Sequence, residues 1–374
     1  MKNVVMRAGI ARLRSTRVQL TVFACSLLAA SCTQRAEQLP TLAGTPGNGT
    51  VKTTTAATTA PTCCWVAVTN QANSKIEVYD PADASWTTPK WSWMPTTALS
   101  YNATSEIPLW EAPTDIKVRN NTVFTGTAQV ITATSYRLAT IARYTGTGTR
   151  GQKLWVMGFN DTTRLHAMEI LPDGNCIVAS AGAAWPQGWI RIYSSSQPAP
   201  NHGVNTQYFF TSAHAVLWDD THQVLWALGN ELRKYGYNTA RSGGTITNPK
   251  LDLLASYTVL PSAWGHDLSA DVNNPDQLLL STNGGTYVFH ISTGAFSDLP
   301  GAAQQTMVKG ISSQPGQNTL VETVPSNACP LYPANTWCTS VVNFYDATTG
   351  AATGSRTVGG AAIYKGKTFD PNYY

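Results

Sequence analysis

Charged side chains are scarce in this chain of 374 residues: they make up 12% of it, against about 25% in ordinary soluble domains. Helical periodicity is also missing, since no stretch beyond the N-terminus carries apolar residues at i, i+3, i+4 and i+7 over three turns. Thr, Ser, Asn, Gly and Trp are used instead, which is typical of short strands and tight turns. The sequence therefore predicts an all-β protein.

Several functional motifs are absent from the sequence. There is no run of basic residues and the net charge of +4 is mild, which argues against nucleic acid as a partner. No P-loop, dinucleotide fingerprint, Gly-x-Ser-x-Gly motif or Cys-x-x-Cys pair occurs. Carboxylates paired for glycoside hydrolysis cannot be identified from spacing alone. These absences leave a repeat pattern as the main source of functional information.

Basic residues recur along the chain at intervals of 43 to 56 residues, each beside a short apolar run. A period of this length is typical of the four-stranded blades of a β-propeller. The innermost strand of each blade lines the central axis, so one basic side chain per repeat is expected to reach a common site. The six residues are Lys117, His166, His214, His266, Lys309 and Lys365.

The two ends of the propeller are predicted to share one blade. After Lys365 the chain has room for an inner strand only, whereas strand-like segments at 65–69, 75–79 and 91–94 precede the first repeat. Combining them gives six blades and leaves no sheet edge exposed. The weakest strand pattern is in the blade from Asp115 to Phe159, where Thr/Gly segments interrupt the outer strands.

The N-terminal 62 residues have the features of an export signal and a tether. Basic residues precede an apolar stretch at 18–30 that is too short to span a bilayer, and residues 1–32 end in a lipoprotein-like sequence with Cys32 as the predicted lipidated residue. Ala29 departs from the usual Leu, so cleavage and release is the alternative. Residues 33–62 are predicted to be a disordered Thr/Pro/Ala-rich tether before the propeller at 63–374.

This N-terminus also predicts where the protein acts. We expect an exported monomer at the outer surface or in the periplasm, in contact with the membrane only through its lipid anchor. In such a compartment, Cys329 and Cys338, which flank a Pro-rich loop, are predicted to form a disulfide. Cys63 and Cys64 are adjacent, and Cys176 is a possible partner for one of them.

Three of the repeating residues predict a metal site. His166, His214 and His266 come from consecutive blades, and three neutral imidazoles near one point suit a divalent cation such as Mn, Zn or Fe. The alternative is that each axial histidine only binds a carbonyl of the neighbouring blade. His202, His222 and His290 are out of register and are interpreted as surface or packing residues.

The remaining axial residues predict an acidic ligand. Three ammonium groups near a cation repel one another unless an anion binds between them, so the lysines are predicted to act as base and anion clamp. The aspartates are expected to bind substrate or to orient an imidazole, and two tryptophans beside loops are predicted to stack on a sugar ring. These residues are Lys117, Lys309 and Lys365, Asp115 and Asp267, and Trp185 and Trp264.

Several segments resemble an uncharacterised family of secreted bacterial six-bladed propeller domains. They are residues 165–175 (LHAMEILPDGN), 213–219 (AHAVLWD), 265–268 (GHDL), 308–315 (VKGISSQP), 336–338 (TWC) and 364–371 (YKGKTFDP). The resemblance covers about residues 65–371 and implies the fold but no activity. In arrangement alone, the chain is also similar to oligogalacturonate lyases, propeller enzymes whose central histidines bind a divalent metal.

Together these features predict a propeller that binds or cleaves an acidic polysaccharide at a central His/Lys site. Cleavage would be metal-assisted β-elimination, in which a cation on the carboxylate acidifies the neighbouring C–H. The alternatives are a surface module that binds glycans without cleaving them and a scaffold for protein partners. Metal content distinguishes the metal-dependent enzyme from these two alternatives.

Overall fold

The computed structural model describes residues 64–159, 164–182, 187–326, 329, 331 and 337–372. The predicted signal segment, Cys32, the tether at 33–62 and Trp185 lie outside these residues.

Twenty-four strands and four short 3-10 helices form in the described ranges, which contain no α-helix. The 3-10 helices are Thr97–Leu99, Ile107–Leu109, Asn201–Gly203 and Gly301–Ala303. The strands are β1 (Val66–Asn70), β2 (Lys75–Tyr79), β3 (Trp91–Trp93), β4 (Pro113–Asn120), β5 (Thr127–Ser135), β6 (Leu138–Gly146), β7 (Lys153–Gly158), β8 (Leu165–Ile170), β9 (Cys176–Ser180), β10 (Trp189–Tyr193), β11 (Asn205–Phe209), β12 (Ala215–Asp219), β13 (Val224–Leu228), β14 (Leu232–Tyr237), β15 (Leu251–Tyr257), β16 (Gly265–Ala270), β17 (Gln277–Thr282), β18 (Thr286–His290), β19 (Ala295–Asp298), β20 (Gly310–Ser313), β21 (Thr319–Thr323), β22 (Val341–Asp346), β23 (Ala352–Thr357) and β24 (Ile363–Thr368).

The strands form six four-stranded antiparallel sheets arranged in a ring. We number them as blades 1 to 5, which start at β4, β8, β12, β16 and β20 respectively, and blade 6, which has the order β24-β1-β2-β3. The first strand of each blade contacts the first strand of the next, and β24 contacts both β20 and β4. This is a six-bladed β-propeller, as the repeat period predicted.

Blade 6 combines strands from both ends of the described chain. The C-terminal strand β24 pairs antiparallel with β1, for example Ala67 with Lys367. Its inner position places Lys365 and Lys367, which are far from the other blades in sequence, beside residues of blades 1 and 4.

Blade 1 differs from its weak sequence pattern. Its second and third strands, β5 and β6, are nine residues long and are the longest in the described structure. Threonine is β-branched and packs well on a pleated surface, so the Thr-rich segment that suggested an interruption is continuous strand.

Apolar side chains pack mainly between neighbouring blades. One cluster joins blades 3 and 4 around Trp226 and Phe289, whose rings are 5.5 Å apart. Among the described residues, no helix is long and apolar enough to cross a membrane. The large buried aromatic side chains belong mostly to this core between the blades.

Two disulfide-bonded regions lie outside the sheets. Cys329 and Cys338 form a disulfide with their Cα atoms 5.4 Å apart. Cys64 is disulfide-bonded as well, whereas Cys176 is a buried free thiol. Cys176 is therefore not the partner of Cys64.

Candidate functional site at one end of the central axis

Bulges at the start of the inner strands position two of the three axial histidines. The ladder between β8 and β9 shifts between Leu165 and Ala167, so His166 is the extra residue. The ladder between β16 and β17 shifts in the same way around His266. A bulge re-aims a side chain that regular pleating would place elsewhere. His214 immediately precedes β12, with its N–H donating to the carbonyl of Leu228 at 2.9 Å.

The three imidazoles meet at the end of the axis where the inner strands begin, which we call the mouth. The rings of His166 and His214 stack with centroids 4.1 Å apart, and those of His214 and His266 meet edge to face at 5.6 Å. The Nζ atom of Lys309 lies 2.9 Å from Nε2 of His266. The mouth, defined by these four residues, brings together side chains from blades 2 to 5.

Hydrogen bonds orient each ring. The Nδ1 atom of His214 lies 2.7 Å from the carbonyl oxygen of Ser212; because a carbonyl only accepts, Nδ1 carries the proton and Nε2 a lone pair. His166 Nδ1 lies 3.0 Å from the hydroxyl of Tyr364. His266 Nε2 lies 2.6 Å from Oδ1 of Asn283.

All three imidazoles are kept neutral at pH 7. Burial, followed by the ammonium groups of Lys309 and Lys365, lowers the pKa of His214 to about 3, although its bond to Ser212 opposes the shift. Burial and the neighbouring His214 and Lys365 lower the pKa of His166. Burial and Lys309 lower that of His266 in the same way. Neutral rings can accept hydrogen bonds beside cations without adding further positive charge.

A strained backbone conformation recurs just before three of the mouth residues. Ser212, Trp264 and Met307 have positive φ angles of 53°, 69° and 63°, and each lies two residues before His214, His266 or Lys309. The left-handed conformation costs a non-glycine residue about 1–2 kcal/mol. Its repetition in consecutive blades marks a place where geometry is maintained at the expense of stability, as at many functional sites.

Below the mouth, lysines and aspartates form a buried axial network. Lys117 donates to Asp115 at 2.5 Å and to the carbonyl of Met168 at the same distance. Lys365 and Lys367 both lie 3.1 Å from Oδ1 of Asp267, and Lys365 is fully buried. The axial network consists of these five residues: Lys117, Lys365, Lys367, Asp115 and Asp267.

The two aspartates of this network also connect neighbouring blades. Oδ2 of Asp267 accepts the N–H of Ile311 at 2.9 Å, and Oδ2 of Asp115 accepts that of Met168 at 3.4 Å. Burial alone would raise the pKa of Asp115, but Lys117, Lys365 and Lys367 together hold it well below its ordinary value. Among the described contacts, neither aspartate reaches a histidine ring.

Positive charge exceeds negative charge along the axis. At the level of β4 and β8, Arg119 forms a buried bidentate pair with Glu169, and this pair is balanced. The carboxylate of Asp219, at the end of β12, accepts a hydrogen bond from the indole N–H of Trp226 in its own blade, so we do not count it with the axial groups. The axial side chains then comprise five cations (Lys117, Arg119, Lys309, Lys365 and Lys367) and three carboxylates (Asp115, Glu169 and Asp267), which leaves two positive charges.

The structure separates the residues that the sequence pattern had grouped. His166, His214, His266 and Lys309 form the mouth. Lys117 and Lys365 lie in the axial network and face carboxylates; at the bulge of β4, the position equivalent to His166 is occupied by Thr114. Trp264 is half-buried directly before β16, near the mouth in the chain. Trp185 lies outside the described residues.

Several site residues were not identified from the sequence. Lys367 follows Lys365 by two residues on the same strand, and strand alternation could have revealed it. Tyr364, Asn283 and Ser212 each contact a histidine ring. They lie in three different blades and carry no common motif, so only the fold relates them to the site.

One ring of the predicted three-histidine metal site is in contact with a lysine. Both ring nitrogens of His266 lie near the ammonium group of Lys309, at 3.3 and 2.9 Å. Within the described ranges, no three His, Cys, Asp or Glu side chains are placed to hold a metal ion together. A cation with His166 and His214 as ligands would require Lys309 to move before His266 could join them.

Comparison with known proteins identifies a family. No curated protein matches the chain. A crystal structure of a protein of unknown function from Bacteroides caccae is similar over 82% of this chain and 99% of its own, with 12% identity and a TM-score of 0.48. A chain in a crystal structure of the mitotic checkpoint complex is similar over 65% of each chain, with 14% identity and a TM-score of 0.40. The model of a family of unknown function (DUF6528) matches residues 50–373, and the chain belongs to this family.

Proposed function

We propose that the mouth binds a small anionic ligand, and that this ligand is the carboxylate of an acidic saccharide. One observation carries the proposal: three neutral imidazoles and the Lys309 ammonium group converge at one end of an axis with excess positive charge. An anion bound there would offset this charge, and the low local dielectric would strengthen the attraction.

Neutral imidazoles suit the recognition of a carboxylate. Each can donate through an N–H or, once an anion arrives, take up a proton and become a charged donor. The bound charge would raise the pKa of the three rings, because an opposite charge nearby favours the protonated form. Anion binding and proton uptake are therefore expected to be coupled below neutral pH.

Trp264 supports a ligand with a ring. It lies two residues before His266, is half-buried, and has a left-handed backbone conformation that is costly for a bulky residue. An indole beside a charged site can stack on the apolar face of a sugar while the site binds its carboxylate. Export, predicted from the N-terminus, would expose the protein to polymers of this kind.

Binding without cleavage is the better-supported activity. A general base works best with a pKa near the operating pH, whereas the pKa of His214 is lowered to about 3 by burial and nearby lysines. Lys117 and Lys365 face carboxylates in the axial network. Neither His214 nor these two lysines are arranged as an efficient base for removing a proton from carbon, and the third predicted base, Lys309, lies against the ring of His266.

Metal-assisted elimination is the second candidate, and the orientation of His214 favours it. The Ser212 carbonyl fixes the tautomer that leaves Nε2 as a lone-pair donor, which is the arrangement of many metal-binding histidines. The cation would acidify the C–H beside the bound carboxylate. This candidate needs a divalent Mn, Zn or Fe ion at His166, His214 and a repositioned His266.

Calorimetric titration tests the binding proposal. A galacturonate trisaccharide should bind and its neutral galactose counterpart should not. Lys309→Met should weaken binding of the acidic sugar roughly ten- to a hundredfold, the loss of one charge-assisted hydrogen bond. Lys90→Met, at an exposed lysine paired with Asp83, is the matched control and should leave affinity unchanged. Equal affinity for both sugars would contradict the proposal.

Two measurements separate elimination from binding alone. Metal analysis of the purified protein and of His214→Ala shows whether a cation depends on this ring. Ultraviolet absorbance of uronate polymers incubated with the protein detects the unsaturated product of elimination. Metal loss on His214→Ala together with rising absorbance would establish the lyase, whereas chelator-insensitive binding without absorbance would establish the binding module. A scaffold for proteins would show neither.

A further inference from the structure

Glu322 is a fully buried carboxyl group without a hydrogen-bonding partner among the described residues. It lies in β21, the second strand of blade 5, with an exposed fraction of 0%, and neither Oε1 nor Oε2 has a partner. Buried carboxylates are nearly always paired, because an isolated charge in a medium of low dielectric is very costly. By contrast, the buried carboxylates on the axis, Asp115, Glu169 and Asp267, all have partners.

Strand geometry places this carboxyl between blades 4 and 5. Leu320 lies two residues before Glu322 on the same face of β21, and it packs in a cluster with Leu279 of β17. Ser281 lies two residues after Leu279 on the same face of β17. Its hydroxyl is also fully buried and without a partner in the described structure. Both unpartnered groups therefore face the same interblade space, at the end of the strands nearer the mouth.

The surroundings of Glu322 are mostly uncharged. Its pairing partners are Ile311 on β20 and Asn343 on β22, and the leucine cluster lies on its face of the sheet. Tyr345 on β22 is a titratable neighbour: burial, and then the charge of Glu322, raise the pKa of Tyr345 to about 12. Burial raises the pKa of Glu322 itself well above its ordinary value.

We propose that Glu322 is held as a neutral acid between blades 4 and 5, and that its ionisation at higher pH opens this interface. The proton leaves to solvent, and water that enters beside Ser281 hydrates the resulting carboxylate. The device is independent of any ligand at the mouth.

If the interface between blades 4 and 5 opened, the displacement would be transmitted to the mouth through a backbone hydrogen bond. The N–H of Lys309 donates to the carbonyl of Thr323 at 3.0 Å, and Thr323 directly follows Glu322. Separation of blade 5 from blade 4 would move Lys309 away from His266, which belongs to blade 4. Glu322 would thus set an upper pH limit for the intact mouth.

Glu322→Gln tests the proposal, because it keeps the shape and removes the ionisation. Because the carboxyl group has a raised pKa in the folded state, the free energy of unfolding falls as pH rises from the ordinary pKa of 4.5 towards the raised value. Urea unfolding should give equal stability for both proteins at pH 4. Above pH 4.5, the ratio of their unfolding constants should change about tenfold per pH unit in favour of the variant.

A second variant and a spectroscopic measurement complete the test of a neutral Glu322. Ser281→Ala removes the other unpartnered group, and its pH profile should run parallel to that of the original protein. If Glu322→Gln does not fold, infrared spectroscopy of the original protein replaces it, since a neutral acid shows a carboxylic C=O band at pH 7. Parallel profiles for the original protein and Glu322→Gln, or the absence of that band, would overturn the proposal.

Discussion

The ammonium nitrogen of Lys309 lies 2.9 Å from Nε2 of His266, an imidazole that would itself become a cation on gaining a proton. Two cations cannot occupy this position together without strong repulsion, so the imidazole is the neutral partner. The Oδ1 atom of Asn283 lies 2.6 Å from the same nitrogen and only accepts, so Nε2 carries the proton and Nδ1, 3.3 Å from the ammonium nitrogen, is the acceptor. Protonation of His266 would therefore disrupt its contact with Lys309, so the geometry of the mouth should depend on pH.

Acid should destabilise the protein through the three mouth histidines. Their pKa values are lowered in the folded state, so the unfolded chain binds more protons below about pH 6.5 and stability falls as pH decreases further. His266→Gln removes one of the three buried imidazoles, so it should reduce the loss of stability between pH 7 and 5. Urea unfolding at both pH values measures this. His202→Gln, at an exposed histidine, serves as control, and an equal loss in His266→Gln and the original protein would contradict the assignment.

Removing one carboxylate of the axial network should be strongly destabilising. Asp267→Asn leaves Lys365 and Lys367 buried without their shared counter-charge, and breaking a buried pair in this way costs about 3–5 kcal/mol. Chemical denaturation of the variant gives the free-energy difference. Asp298→Asn, at an exposed position in β19, should have little effect. A similar small effect in Asp267→Asn would show that the network is solvated.

Deletion of residues 363–374 should prevent cooperative folding. It removes β24, which pairs with β1 and contacts both neighbouring inner strands, and it exposes an unpaired sheet edge. It also removes Lys365 and Lys367 from Asp267. Circular dichroism during heating measures the effect, and a truncated protein with the original sharp transition would contradict the role of this blade in ring closure.

Substitutions of Trp264 should separate backbone strain from ligand contact. Trp264→Gly relieves a left-handed conformation worth about 1–2 kcal/mol and should retain stability, while affinity for an acidic sugar falls with the loss of the indole. Trp264→Phe keeps a ring and should retain most of the affinity. Thermal melts and calorimetric titration give both quantities. Equal affinity in all three proteins would exclude stacking by this residue.

Sequence periodicity was sufficient for the fold because each blade repeats the same strand alternation and turn chemistry. The strand-like segments predicted at 75–79 and 91–94 correspond to β2 (Lys75–Tyr79) and β3 (Trp91–Trp93). The fourth strands were not located individually. Strands such as β11 and β15 are partly exposed, so their apolar pattern is weak.

The candidate site was less predictable because its geometry depends on local irregularities. The bulges at His166 and His266 add one residue to a strand, and spacing alone does not reveal them. The same effect places Thr114 rather than Lys117 at the equivalent position of blade 1. Pairing of Lys365 with Asp267 joins residues of different blades. Such contacts arise only when the ring forms.

The central claim is that an anion binds at the mouth, and histidine resonances test it most directly. The chain has six histidines, three at the mouth and three elsewhere, namely His202, His222 and His290, which serve as internal controls. Titration with a galacturonate trisaccharide at pH 6 should shift the imidazole signals of His166, His214 and His266 together, towards the protonated form, and leave the other three in place. Shifts confined to the three control histidines, or saturation of binding with no shift at the mouth, would contradict the account.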